Sequence, residues 1–146
     1  MTIRTSRHMG EAALLPMLDP LNREWFTRGV ITIQRCSDCQ ALQHPPDEHC
    51  GECQGSELGW RECEGGGRVE SVVVVHQAVH PAFKEAVPYA VVVVSLDDAP
   101  GINAIGNVVN RDPQDIAIGQ RVRAVFEAVE AADGRERMLI PQWEVV

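Results

Sequence analysis

Two Cys-x-x-Cys pairs, Cys36-Ser37-Asp38-Cys39 and Cys50-Gly51-Glu52-Cys53, constrain this chain more than any other feature. Each pair curls two sulfurs towards one point, and two such knuckles make a closed tetrahedral site of the kind zinc prefers. The stretch 36–56 around them is polar and rich in turn residues, with little to bury. It cannot fold by burial alone, so a metal whose binding is coupled to folding is the expected support. Tetrahedral sulfur also suits iron, as in a rubredoxin-like centre, but nothing nearby supplies a flavin site or an electron-transfer partner. Four unpaired or redox cysteines are the remaining alternative. His44 and His49 lie between the knuckles and read as loop residues, since four thiolates already fill the shell. A closed shell leaves no position for water or substrate, so one structural Zn²⁺ per chain is expected.

The flanking sequence divides into three parts. Residues 1–16 show no sustained period and are expected to be flexible. Residues 17–57 carry a short helix and then the ribbon. Asp19-Pro20 gives an N-cap and a proline at the first helical position, Leu21 and Trp25 share a face, and Gly29 can end a helix over about 20–28. Val30 to Ile33 is strand-like. From Leu58 to Val146 the texture changes to Val-, Ile- and Ala-rich runs, at 68–79, 89–96, 101–109, 121–131 and 137–145. Turn signals such as Asp97-Asp98-Ala99-Pro100 and Asp112-Pro113 separate them. Short strands at that spacing predict a mainly β chain ending in a five-stranded OB-fold barrel. The fifth cysteine, Cys63, sits in a strand-like segment and reads as a small core residue.

Other motifs carry little. Gly65-Gly66-Gly67 lacks the Lys-Ser/Thr of a P-loop and reads as a turn or bulge. His76 and His80 have no glutamate between them in the zincin pattern, and no nucleophile elbow is present. No run of about 18 apolar residues exists, so no membrane span is expected, and a cytoplasmic protein is the default reading. The net charge is −8, with Lys84 the one lysine. Between Val30 and Ser56, Arg35 stands alone against Asp38, Asp47, Glu48 and Glu52. A nucleic-acid-binding ribbon and barrel, the alternative function for these two modules, would need a basic face and aromatic stacking platforms, and the strands are aliphatic.

In that order, the helix with Trp25-Phe26, the four-cysteine ribbon and the Val-rich barrel resemble the DUF35 family. The residues carrying the resemblance are Phe26 and Gly29, the two knuckles, Pro45-Pro46, Gly65 to Gly67 with Ser71, Pro88-Tyr89, and Ile118-Gly119 before Val122. The family usually has glycine after the first knuckle, where this chain has Gln40, which points to a reshaped turn. It commonly has an aromatic residue and threonine after the serine, where Val72 and Val73 stand here. The resemblance implies a rubredoxin-like zinc ribbon plus OB-fold accessory subunit of acyl-CoA enzymes. Its partner would be a thiolase-like catalytic subunit that makes or breaks a carbon–carbon bond next to a CoA thioester, as in aromatic or steroid degradation. Two-fold symmetry of such enzymes implies two copies of each chain. No nucleic acid, no membrane and no catalytic residue of its own are expected. Phe83, Lys84, Pro88 and Tyr89 are the candidate acyl-CoA contacts, because an apolar wall beside a cation suits that ligand; the equal alternative is that Phe83 and Tyr89 plug the barrel end. Trp25 and Phe26 read as a packing face, either onto the chain's own domain or onto a partner, and with Leu42 and Pro45-Pro46 they are the candidates for an exposed docking patch.

Overall fold

The computed structural model describes residues 1–131 and 133–146. Two sheets share one core. The ribbon sheet has the order β3–β2–β4, formed by β2 (Ile31–Cys36), β3 (Leu42–Gln43) and β4 (Leu58–Cys63). β2 and β4 are antiparallel over their full length, with Ile31 opposite Cys63 and Cys36 opposite Leu58. β4, which the sequence reading grouped with the barrel, therefore completes the ribbon. Ile31 and Ile33 are fully buried and join the cluster that fills the barrel. This shared core holds the two modules together by burial.

The barrel is built from β5 (Gly66–Val75), β6 (Tyr89–Leu96), β7 (Asn103–Gly106), β8 (Arg121–Glu130) and β9 (Arg137–Val145). β5 pairs with β6, β6 with β7, and β8 with β9, all antiparallel. β5 meets β8 only through Gly66–Arg68, and a bridge from Val108 to Trp143 brings the end of β7 onto β9. Side chains alternate along β6, with Ala90, Val92, Val94 and Leu96 inside, as a pleated strand requires. Trp143, Val92, Val94, Val122 and Phe126 fill the interior. Gly67 is obligatory there, since a Cβ would lie 2.5 Å from the Ser95 carbonyl oxygen. The bulge in β5 lies beyond the glycines, between Val69 and Ser71, and Gly66 and Gly67 themselves sit in the regular ladder.

Three expectations are corrected. The barrel sheet has six strands, not five, because β1 (Ile3–Arg4) adds parallel to β8 at Phe126 and Glu127. β8 is ten residues long and β5 covers only its start, so β1 takes the edge left open. For the same reason residues 1–16 are not a loose tail. Arg7 reaches the buried Glu127, the His8 backbone N–H donates to the same carboxylate at 3.2 Å, and Leu15 packs near Met138. The helix is also shorter than expected, a five-residue α1 (Arg23–Thr27) preceded by turns. The Asp19 carboxylate does cap those turns, accepting from the Leu21 and Asn22 N–H groups at 2.8 and 2.7 Å. Among the described residues no helix is long and apolar enough to cross a membrane.

Candidate metal centre and the barrel loop

The two knuckles are near copies in three dimensions. In each, the residue after the second cysteine donates its N–H to the carbonyl of the first, Gln40 to Cys36 and Gln54 to Cys50, both at 2.9 Å. Both glutamines have φ 66°, the left-handed turn that glycine adopts without strain. Gln40 therefore does not reshape the turn, as had been expected, but holds glycine's geometry with a larger side chain. The side chains add a second tie, Gln40 Nε2 to the Ser37 carbonyl at 2.9 Å and Gln54 Nε2 to that of Gly51 at 3.5 Å.

The four sulfurs all lie within 4.8 Å of one another. Cys36 and Cys53 are separated by 3.6 Å, as are Cys39 and Cys50. A tetrahedral ion with metal–sulfur bonds of about 2.3 Å needs sulfur–sulfur edges of about 3.8 Å, so the cage fits zinc. Electrostatics point the same way. Backbone N–H groups of Cys53 and Glu52 bring the Cys50 thiol down to about 7. Cys39 is favoured as thiolate by the Ala41 backbone, yet desolvation and the surrounding thiols push it up to about 12. Packed thiols cannot all ionise without a cation among them, and a divalent metal supplies one. Between Cys36 and Cys50 no residue is buried, so the loop has no apolar core of its own.

A glutamine network that sequence reading missed braces the long loop. The buried Gln34 amide oxygen accepts from the Gln43 side chain at 2.6 Å and from the Asp47 N–H at 2.9 Å. The Gln43 oxygen accepts in turn from the Gly51 N–H at 2.9 Å, tying β3 to the second knuckle. Glutamine in a polar loop gives no sequence signal for such a role. His44 is not a ligand. Its ring packs 4.3 Å from that of Trp25, and burial pulls its pKa down to about 4. Trp25 is consequently buried, and Phe26 and Leu42 are half-buried against the core. Of the expected docking patch, Pro45 is the exposed member. Cys63 is 3 % exposed, and burial, with the nearby Asp98 carboxylate, raises its pKa. That is the setting of an inert core thiol.

The structure separates the candidate substrate residues. A 3₁₀ turn, Pro81–Phe83, closes the loop between β5 and β6, and its entry is capped by His80 Nδ1 accepting from the Ala82 N–H at 3.0 Å. Phe83 turns towards a groove of about 270 Å³ that it shares with Trp25, Phe26, Ile105 and Arg7. Lys84 lines a different, wider concavity with His76, His80 and Val87. Pro88 and Tyr89 lie at the strand junction, Pro88 exposed and Tyr89 half-buried opposite Val75.

A thiolate cage on a ribbon sheet, packed through a common core onto an OB barrel, defines a zinc-ribbon/OB-fold protein. Family models described as the rubredoxin-like zinc ribbon domain and the C-terminal OB-fold domain of ChsH2 match residues 26–59 and 60–127. A DUF35 domain-containing scaffold protein of Methanocaldococcus jannaschii is 32% identical over 97 residues, covering 66% of this chain and 67% of that protein. A probable enoyl-CoA hydratase alpha subunit of Thermomonospora curvata is 36% identical over 119 residues, 80% of this chain. The chain spans only 35% of that subunit's length. Among solved structures, the Ltp2-ChsH2(DUF35) aldolase matches with a TM-score of 0.72 and 30% identity, over 90% of this chain and 98% of that one. The chain belongs to the DUF35 family.

Proposed function

We propose that this chain is a non-catalytic subunit of an acyl-CoA complex whose chemistry is done by a thiolase-fold enzyme, with two copies of each chain. The observation that carries this is the end-to-end likeness to one chain of the Ltp2-ChsH2(DUF35) aldolase. The residues agree with an accessory role. Cys36, Cys39, Cys50 and Cys53 hold one Zn²⁺, whose contribution is to fold the ribbon. Cys63, the remaining thiol, is buried, and burial with the neighbouring Asp98 carboxylate favours its protonated form. The outward side of β5–β6–β7 carries Val73, Val91, Val93 and Ile105 with Tyr89 at its end, a mostly aliphatic surface with one aromatic residue where single-stranded nucleic acid needs a row of stacking platforms.

In this reading Phe83 offers the acyl part of the substrate an apolar wall, while Lys84, beside His76 and His80, faces the CoA phosphates. Pro88 and Tyr89 set the loop at the strand junction. The two groups sit on opposite sides of one turn, so a ligand using both straddles it. Phe83→Ala and Lys84→Ala should each raise KM with zinc content and assembly unchanged. Unaltered KM in both would move the contacts elsewhere.

A second setting is favoured by one observation, the 36% identity to a hydratase alpha subunit. The accessory role is the same there, and the partner hydrates an enoyl thioester in place of cleaving a carbon–carbon bond. Co-expression with a thiolase-fold enzyme and with a hydratase-fold enzyme separates the two. Native mass spectrometry should find equal numbers of both chains with the former. A stable assembly formed only with the latter would replace the first setting by the second, and assembly with neither would refute the accessory role.

A further inference from the structure

The barrel wall closes between β7 and β9 only from Asn107 onward. There the Trp143 main-chain N–H donates to the Asn107 carbonyl and the Val109 N–H to the Trp143 carbonyl, both at 2.8 Å. Val108 and Trp143 form a parallel bridge, so earlier on both strands Gly106 and Ile105 come beside Pro141 and Ile140. Among the described residues no ladder joins them. Pro141 is the reason. The Phe126 N–H goes to the Thr2 carbonyl, on the side of β8 away from β9, so the main-chain groups of the Phe126–Pro141 pair point away from each other. The N–H that proline lacks is therefore the one that would have crossed to β7. A slit remains in the wall, and Ile105, Gly106, Ile140 and Pro141 place it on the groove of about 270 Å³ that Phe83 and Phe26 also line.

Behind the slit lies an unpartnered donor. Trp143 is fully buried, and its indole N–H has no hydrogen-bond partner among the described residues. Gly106 stands between the two. It shares the interior side of β7 with the buried Ala104, and a Cβ there would sit 2.9 Å from Trp143 Nε1 and 3.7 Å from Gln142 Oε1. Gly106 and Gln142 both line the groove, so the missing side chain is what leaves the indole N–H facing it. The one cation in the groove is already engaged: Arg7 lies 3.4 Å from Glu127 and 3.5 Å from Glu11, and donates to the Ala13 carbonyl at 3.2 Å. An apolar lining with one neutral donor at its base suits a carbonyl on an apolar chain, and not a carboxylate.

We propose that the slit takes the carbonyl group of an acyl thioester, with the Trp143 indole N–H donating to its oxygen past Gly106 and the acyl chain lying along Phe83, Phe26 and Ile105. The choice of a thioester rests on the acyl-CoA reading above, whereas the site itself does not. A water molecule takes about 30 Å³ of the liquid, so the groove holds about nine non-hydrogen atoms, the size of S-methyl hexanethioate.

The test is a magnetic-resonance titration of the zinc-loaded full chain with S-methyl hexanethioate, with methyl hexyl sulfide, which lacks the carbonyl, and with hexanoate. Three tryptophans give three indole N–H resonances, and Trp25→Phe and Trp60→Phe assign that of Trp143 by elimination without altering it. The thioester should shift the Trp143 indole resonance saturably and bind about tenfold tighter than the sulfide, the difference one hydrogen bond to a buried donor makes. Gly106→Ala, which sets a methyl group in front of Nε1, should abolish that preference. No saturable shift at Trp143, equal affinities for thioester and sulfide, tighter binding of hexanoate, or a preference that survives Gly106→Ala would each overturn the proposal. No enzyme partner is present, so failure here leaves the accessory role standing, and a failed assembly with acyl-CoA enzymes would leave a positive titration intact.

Discussion

The paired glutamines that close the knuckles offer a quantitative test of how the ribbon is held. Gln40 and Gln54 both sit at φ 66°, a conformation that costs a residue with a Cβ roughly 1–2 kcal/mol. Glycine removes that strain, but gives back about 0.5–1 kcal/mol in chain entropy and loses about 0.5 kcal/mol from the side-chain hydrogen bond. Gln40→Gly is therefore close to neutral. Gln54→Gly should be slightly stabilising, because its side-chain bond is 3.5 Å long against 2.9 Å at Gln40. Valine at either position keeps the strain, adds β-branching and loses the bond, so valine and glycine should differ by about 2 kcal/mol. Since metal binding and ribbon folding are one equilibrium, that difference appears as roughly thirtyfold in zinc affinity. Competition against a chromogenic chelator, with the protein fully reduced, reads it directly. Valine and glycine variants within twofold of each other would refute the argument that backbone strain, not side-chain chemistry, governs these turns.

Gly67→Ala should destabilise the barrel by about 3 kcal/mol in denaturant unfolding, because the added methyl meets backbone at Ser95 as well as Val94. Arg7→Met should cost about 2 kcal/mol by leaving the Glu127 carboxylate, 4% exposed, without its cation, and adding Glu127→Gln should recover most of the loss. His44 is held neutral by burial, with a folded pKa of about 4 against 6.5 for the free side chain. Between those values the unfolded chain binds the proton and the folded one does not, so its contribution is complete above pH 6.5 and is lost as pH falls towards 4. Unfolding at pH 7 and pH 5 should differ by about 2 kcal/mol less in His44→Phe than in the unmodified chain. His8, lowered by burial against the opposing pull of Glu127, leaves a residual slope of the same sign.

The metal centre was legible because spacing alone carries it: a Cys-x-x-Cys knuckle is local, and two of them need only be brought together. The strands were legible in the same way, and β6, β8 and β9 fall within a residue of the runs expected at 89–96, 121–131 and 137–145. What could not be read is which side faces in. Val91 to Val94 and Val72 to Val75 are the same four letters, yet the first run buries alternate residues and the second leaves Val73 largely exposed. Hydropathy does not distinguish a strand with neighbours on both edges from one with an open edge. β1 was invisible for a related reason. Two residues have no period, and their place is set by an edge on β8 more than a hundred positions away. For Trp25 the sequence left open whether its own domain or a partner covers it, because a small ribbon offers little cover, and the cover comes from His44 and the shared core. Among the acyl-CoA candidates, sequence proximity joined Phe83 and Lys84, whereas one turn of 3₁₀ helix sends them to different concavities.

The most direct test of the accessory role is turnover of an acyl-CoA substrate by a thiolase-fold partner, measured for the enzyme alone, this chain alone and the two together. The account predicts no turnover by this chain alone, full turnover only in the reconstituted pair, and an undiminished rate when the chain carries Cys63→Ala. Turnover by the isolated chain would contradict it. So would loss of activity in the Cys63→Ala pair while zinc content and assembly stay intact.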